Sequence, residues 1–230
     1  MPRLLLCLLL TVLVTISGCG RRLTPQEIAF AEALQGDATD YARVRLVKGA
    51  PLAPITFQRK PRPRLTCRER IMPPETGEIV TAKPAAVTLY NHILFTRDWY
   101  LPDYLPRYPR LLYLSEAMLF AHEMTHVWQW QNRARTGYSP LGAAAEHRGT
   151  DDPYLFDLKG APDFLSFGYE QQGAIMEEYV CCRSLAPQAS RTKRLHAMLA
   201  GAMPVAPLPQ SRQSDVVLPW SGVELQGICD

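Results

Sequence analysis

Two histidines four residues apart with a glutamate beside the first, His122-Glu123-Met124-Thr125-His126, are the side chains of this sequence best suited to chemistry. On a helix, positions four apart share a face, so both imidazoles can grip one metal ion. Glu123 then lies beside the open coordination position, where a carboxylate can take a proton from water. That is the donor set and the base of a zinc hydrolase. The plainer alternative is a core helix whose histidines bond to backbone or water. It leaves two buried imidazoles in need of partners, and a metal supplies them well.

The surrounding residues predict the helix that such a motif needs, over residues 115–135. Ser115 is placed to cap its start and Glu116 suits the first turn. Arg133 and Arg135 suit the last turn before Gly137.

Catalytic zinc takes three protein ligands and leaves one position for water. The third has to come from elsewhere, and a second strong helix is predicted over residues 164–185, stopped by Pro187. It carries Glu170, Glu177 and Glu178. Glu170 and Glu177 fall on nearly one stripe, while Glu178 is turned about 80° away from Glu170. Helical geometry leaves the choice among the three open. Cys181 lies eleven residues beyond Glu170, about 16 Å along the axis, and cannot share its metal.

Other elements must hold these two helices. Thr24-Pro25-Gln26-Glu27 reads as a capped helix start, with Gly36 as the stop. Residues 41–47 alternate as a strand, and residues 87–95 form the best strand candidate, with a hairpin turn at Tyr90-Asn91. Such a strand next to a zinc-peptidase helix can line the cleft and pair with an extended substrate. His92 within it reads as structural. Residues 50–74 and 138–161 read as irregular, the second carrying His147, Arg148, Asp151, Asp152 and Tyr154. A third helix starts at Ser190, and a proline-rich tail follows. The fold class expected is α+β, a small sheet packed on the HEMTH helix with a mostly helical second half.

The first residues speak to compartment. Met1-Pro2-Arg3 is a short basic segment, residues 4–15 are almost continuously apolar, and Ile16-Ser17-Gly18-Cys19 resembles a bacterial lipobox. Residues 1–18 are thus expected to be a lipoprotein signal peptide, with Cys19 lipidated and the protein tethered to the cell envelope. Gly20 favours the outer membrane by resemblance to lipoprotein sorting. An ordinary secretory peptide or a short anchor is the alternative. Residues 19–230 are long enough for one domain with a sizeable core. With Cys7 and Cys19 set aside, Cys67, Cys181, Cys182 and Cys229 remain. In an oxidising compartment they predict two disulfides, each from one of the adjacent helical cysteines to Cys67 or Cys229, in an order left open. A thiolate metal cluster is the weaker reading. A net charge of only +3 without a dense basic tract argues against nucleic acid as a partner.

Several pieces resemble a family of small bacterial HExxH proteins, the Vgr- or Rhs-associated zinc-peptidase-like proteins, and more broadly the gluzincins. They are Leu23-Thr24-Pro25-Gln26-Glu27-Ile28-Ala29; Gly36-Asp37-Ala38 with Asp40-Tyr41-Ala42-Arg43-Val44; His122 through Gln129; and Glu170-Gln171-Gln172 with Ile175 and Glu178-Tyr179. The resemblance implies a zincin-like fold and Zn2+ held by His122, His126 and Glu170, with Glu123 as catalytic base. Where that family has Asp, this chain has Glu178.

The function expected is a zinc-dependent envelope peptidase acting on a peptide or protein substrate. His147, Tyr154 and Tyr169 are candidate oxyanion donors by chemistry alone. A non-catalytic zinc-bound scaffold is the alternative, and the base Glu123 speaks against it. A toxin-like effector peptidase ranks third, since no delivery or adaptor segment is recognisable.

Overall fold

The structure, a computed structural model, describes residues 20–50, 56–158 and 163–230. The expected signal peptide and the lipidated Cys19 lie outside these residues. Helix α1 (Pro25–Gln35) starts at the expected capping box: Thr24 Oγ1 accepts from the Glu27 amide at 3.1 Å, and Glu27 Oε2 accepts from the Thr24 amide at 2.9 Å. Glu27 also pairs with Arg21 at 2.7 Å and accepts from the Tyr104 amide at 3.0 Å, so the cap is a buried junction.

The expected strand at residues 41–47 is shorter and later. Asp40 Oδ1 accepts from the Ala42 amide and caps a 3-10 turn, Tyr41–Arg43, before β1 (Arg45–Lys48) begins. Residues 50–74 are not wholly irregular, because they contain β2 (Phe57–Arg59) and α2 (Cys67–Arg70). Strand β3 (Val80–Ala82) pairs antiparallel with β2. Next come β4 (Ala86–Leu89) and β5 (His92–Phe95), joined at Tyr90-Asn91 as expected. Tyr90 takes the left-handed conformation the tight turn requires, with φ 61°.

The main sheet has the order β1-β5-β4, with β1 parallel and β4 antiparallel to β5. Strand β4 is therefore its edge among the described residues. Buried Leu46, Thr88, Ile93 and Phe95 lie on these three strands, and β4 and β5 contact the long helix that follows. Phe95, Tyr104 and Phe120 stack in series behind it.

Strand β6 (Leu111–Tyr113) runs into α3 (Leu114–Gln131), which holds the HEMTH residues. Tyr113, not Ser115, is its N-cap, and the Ser115 hydroxyl bonds to Glu116 instead. A short α4 (Arg133–Thr136) closes at left-handed Gly137. Residues 138–161, expected as loop, contain α5 (Pro140–Gly149), started by Ser139, whose hydroxyl accepts from the Gly142 amide. Helix α6 (Tyr169–Leu185) packs along α3, followed by α7 (Ser190–Ala200). The proline-rich tail supplies β7 (Asp215–Val217), parallel to β6.

The disulfides are Cys67–Cys181 and Cys182–Cys229. The adjacent cysteines of α6 point apart, as 100° per residue requires. They fasten α2 on one side and the C-terminus on the other. The two bridges take up these four thiols, so no thiolate cluster forms among the described residues. No helix among the described residues is long and apolar enough to cross a membrane. The architecture is α+β with small sheets.

Candidate metal centre

Helix α3 presents His122 and His126 on its face towards α6, one turn apart. Helix α6 presents Glu170 from its first turn. The three meet: His122 Nε2 lies 3.1 Å from His126 Nε2 and 3.3 Å from Glu170 Oε2, and His126 Nε2 lies 3.5 Å from the same oxygen. All three side chains are buried. A tetrahedral ion with bonds of about 2.0–2.1 Å spaces its ligand atoms about 3.3 Å apart. The donor set therefore fits a divalent metal in chemistry and in spacing.

One glycine makes the approach possible. A Cβ on Gly173 would stand 2.5–2.8 Å from three atoms of the His122 ring. The absent side chain is what lets α6 close on the imidazole, three residues after Glu170.

Both histidines have their remaining ring nitrogen facing a polar side chain, which turns Nε2 towards the centre. His126 Nδ1 lies 2.8 Å from Gln129 Oε1, and the Gln129 amide donates to Tyr169 O and Gln172 Oε1. His122 Nδ1 lies 2.8 Å from Glu177 Oε1, an ion-pair contact without hydrogen-bond geometry. Glu177 in turn accepts from Arg68 at 2.7 Å. Of the three carboxylates that sequence left open, Glu170 meets the histidine nitrogens and Glu177 stands behind one of them. Glu178 is elsewhere, accepting from the Arg68 amide at 3.0 Å and from Arg191 at 2.5 Å.

The electrostatics suit a cation. Burial opposes a charged His122, yet Glu177 and Glu170 outweigh it and lift its pKa to about 10. Burial likewise opposes an ionised Glu177, but Arg68 and His122 bring it down to about 2. Glu170 is held well below the usual carboxylate range by His126, His122 and His147, again against burial. Positive charge is favoured at this point, and a divalent ion supplies more of it than a proton does.

Glu123 lies on the cleft side of α3, and Thr88 Oγ1 of β4 donates to its Oε2 at 2.7 Å. A cavity of about 510 Å³ opens over the centre, walled by Ala86, Val87 and Thr88 of β4 and by Pro140, Ala143 and Ala144 of α5. His147 Nε2 lies 3.2 Å from Glu170 Oε1, the oxygen turned away from the histidines. The Tyr154 ring lies 5.7 Å from the His122 ring and also lines this cavity. Burial and the nearby Glu170, Glu123 and Glu177 push its phenol well above the ordinary range, so it stays a hydrogen-bond donor. Tyr169, the third candidate donor, instead packs edge-on against Tyr138, and Tyr138 stacks on His126. His92 lies on β5 outside the cluster.

Sequence reading missed Thr88, Gly173, Gln129 and the grip of α5 on α6. That grip includes Glu146, whose two carboxylate oxygens accept from the Tyr169 and Glu170 amides at 2.8 and 2.9 Å. An acidic side chain there satisfies the free amides of a helix start. Ser139-Pro140, a cap followed by proline, was the available signal for α5.

No family model matches the chain. Over 180 residues, 78% of its length, it is 26% identical to the type VI secretion system spike protein VgrG2b of Pseudomonas aeruginosa. The solved effector domain of that protein superposes with a TM-score of 0.50 at 26% identity, covering 81% of this chain and 86% of the domain. The chain is similar to the VgrG2b effector domain. It spans only 15% of the whole spike protein, so the similarity concerns that one domain.

Proposed function

We propose that this chain is a zinc-dependent peptidase with a zincin-like site, similar to the effector domain of VgrG2b and working in the cell envelope. The observation that carries the reading is the convergence of His122 Nε2, His126 Nε2 and Glu170 Oε2 within 3.5 Å of one another, beside Glu123. A Zn2+ held by these three residues supplies Lewis-acid activation of a water and of the scissile carbonyl. Glu123 accepts the water proton and passes it to the leaving amine. Thr88 holds that carboxylate in place through Oε2. Tyr154 and His147 stand at the cleft as hydrogen-bond donors for the developing oxyanion. An extended peptide adds to the edge of β4 and runs along the cavity floor.

A base beside three ligands favours turnover over a structural staple, which needs four closed ligands and no base. The expected lipid tether at Cys19 and the two disulfides support an extracytoplasmic setting. The relationship to an effector domain favours a second reading, in which the same peptidase chemistry attacks a target as a toxin. It shares the site and differs only in substrate.

The decisive experiment measures bound metal and peptide cleavage together. We expect one zinc per chain, lost in His122→Ala and Glu170→Ala, and cleavage of a peptide library by wild type but not by zinc-loaded Glu123→Gln. A chain that takes up no zinc after reconstitution, or cleavage that survives in Glu123→Gln, would overturn the reading.

A further inference from the structure

Arg68 occupies an unusual place. It belongs to the four-residue helix α2, yet its guanidinium is buried against the back of the metal centre. Nη1 donates to Glu177 Oε2 at 2.7 Å, Nε to Glu69 at 2.9 Å, and Nη2 to Tyr154 O at 3.3 Å. It thus touches both the carboxylate behind His122 and the segment that puts Tyr154 in the cleft. The neighbouring residue, Cys67, is bonded to Cys181, four positions after Glu177 on α6. One covalent tie, across 114 residues of sequence, sets Arg68 against Glu177.

We propose that the Cys67–Cys181 disulfide, acting through Arg68 and Glu177 as positioning residues, holds the metal centre in its binding-competent form, so that the centre is completed only in an oxidising compartment. The inference rests on the metal reading above. A buried guanidinium stays buried only while its partners hold it. Arg68 and Glu177 also line a second cavity of about 440 Å³, so water has a route to both when α2 is released. Reduction by a dithiol transfers two electrons and two protons, giving two cysteine thiols and the oxidised reductant. Arg68 can then leave, Glu177 loses its counter-charge, and the carboxylate no longer orients His122 Nδ1. The other disulfide, Cys182–Cys229, fastens the C-terminus and packs beside the first, with its sulfurs within 4.8 Å of Cys67 Sγ and Cys182 Sγ 3.6 Å from Glu178, but it bonds to neither the Arg68 guanidinium nor Glu177. The first bridge thus fixes the residue next to Arg68 directly, while the second meets this network only behind it, at Glu178 and Cys67.

The test is zinc affinity by competition with a chromophoric chelator, with the fold checked by circular dichroism. We expect Cys67→Ser/Cys181→Ser to lose about 10–100-fold in affinity, and Cys182→Ser/Cys229→Ser to change it less than about threefold. Arg68→Gln, which keeps both disulfides, should show the loss seen without Cys67–Cys181. Adding Arg68→Gln to Cys67→Ser/Cys181→Ser should cost nothing further, because the residues act in one chain. Imidazole nitrogen NMR should show the His122 Nδ1–H signal altered in the same variants and intact in Cys182→Ser/Cys229→Ser. Full zinc affinity in folded Cys67→Ser/Cys181→Ser overturns the proposal. If that variant fails to fold, unchanged affinity in Arg68→Gln overturns it instead. A wild-type chain that binds no zinc would remove the metal reading itself, a separate and recognisable failure.

Discussion

Thr88 donates to Glu123 Oε2 at 2.7 Å and lies 3.4 Å from the Glu123 carbonyl, so one hydroxyl of the edge strand is joined to the proposed base. The contact occupies one carboxylate oxygen and limits how Glu123, which lines the cleft, can rotate. We expect Thr88→Val to lower kcat for peptide cleavage about tenfold with zinc content unchanged, and Thr88→Ser to restore most of it. Equal kcat in wild type and Thr88→Val would show that Glu123 is positioned by other contacts.

Replacing glycine by alanine inside a helix ordinarily stabilises it by about 1 kcal/mol. At Gly173 the sign should reverse, because the new methyl meets the His122 ring at 2.5–2.8 Å. We expect Gly173→Ala to cost about 1–3 kcal/mol in urea unfolding and to weaken zinc binding together with it. A stabilised Gly173→Ala would mean that α3 and α6 can separate freely.

Metal removal should be visible in stability. A ligand that binds only the folded chain adds about 4 kcal/mol at a thousandfold excess over its Kd. The melting temperature should therefore fall on adding EDTA to the wild type. In His126→Ala the chelator should have no effect, and a persisting effect would place the metal elsewhere.

Glu27 is another buried carboxylate with several partners, taking bonds from Thr24, Arg21 and Tyr104. Its removal strands the Arg21 guanidinium and the Tyr104 amide. We expect Glu27→Ala to cost about 3–5 kcal/mol by chemical denaturation, with the zinc site unaffected. A cost below about 1 kcal/mol would mean water reaches Arg21 readily.

The parts of the centre that sequence exposes are the local ones. His122, Glu123 and His126 lie within one turn and a quarter, and helical geometry alone puts them together. Glu170 needed a resemblance, since Glu177 and Glu178 offered the same chemistry on the same helix. What separates the three is set from far away. Arg68 claims both neighbours of the pair, Glu177 through its guanidinium and Glu178 through its amide, more than a hundred residues before either. Nothing in the composition of α6 encodes that. The hairpin at Tyr90-Asn91 was legible from its two short apolar runs. Helix α5 was not, because glycines at both ends and a polar last turn masked a three-alanine centre. His147 was a candidate on its chemistry, but its contact to Glu170 could not be read without that helix.

Helix α6 carries the proposed ligand Glu170 at its first turn and both cross-links in its last two. Its two ends should therefore breathe at different rates. Amides around Cys181 and Cys182 belong to the most slowly exchanging set, reachable only by global unfolding. Those around Tyr169 and Glu170 depend on Glu146 and on the cation, and open by smaller excursions. Hydrogen exchange along this one helix would then read as a gradient. Its shallow end would deepen when zinc is added, while its far end would not change.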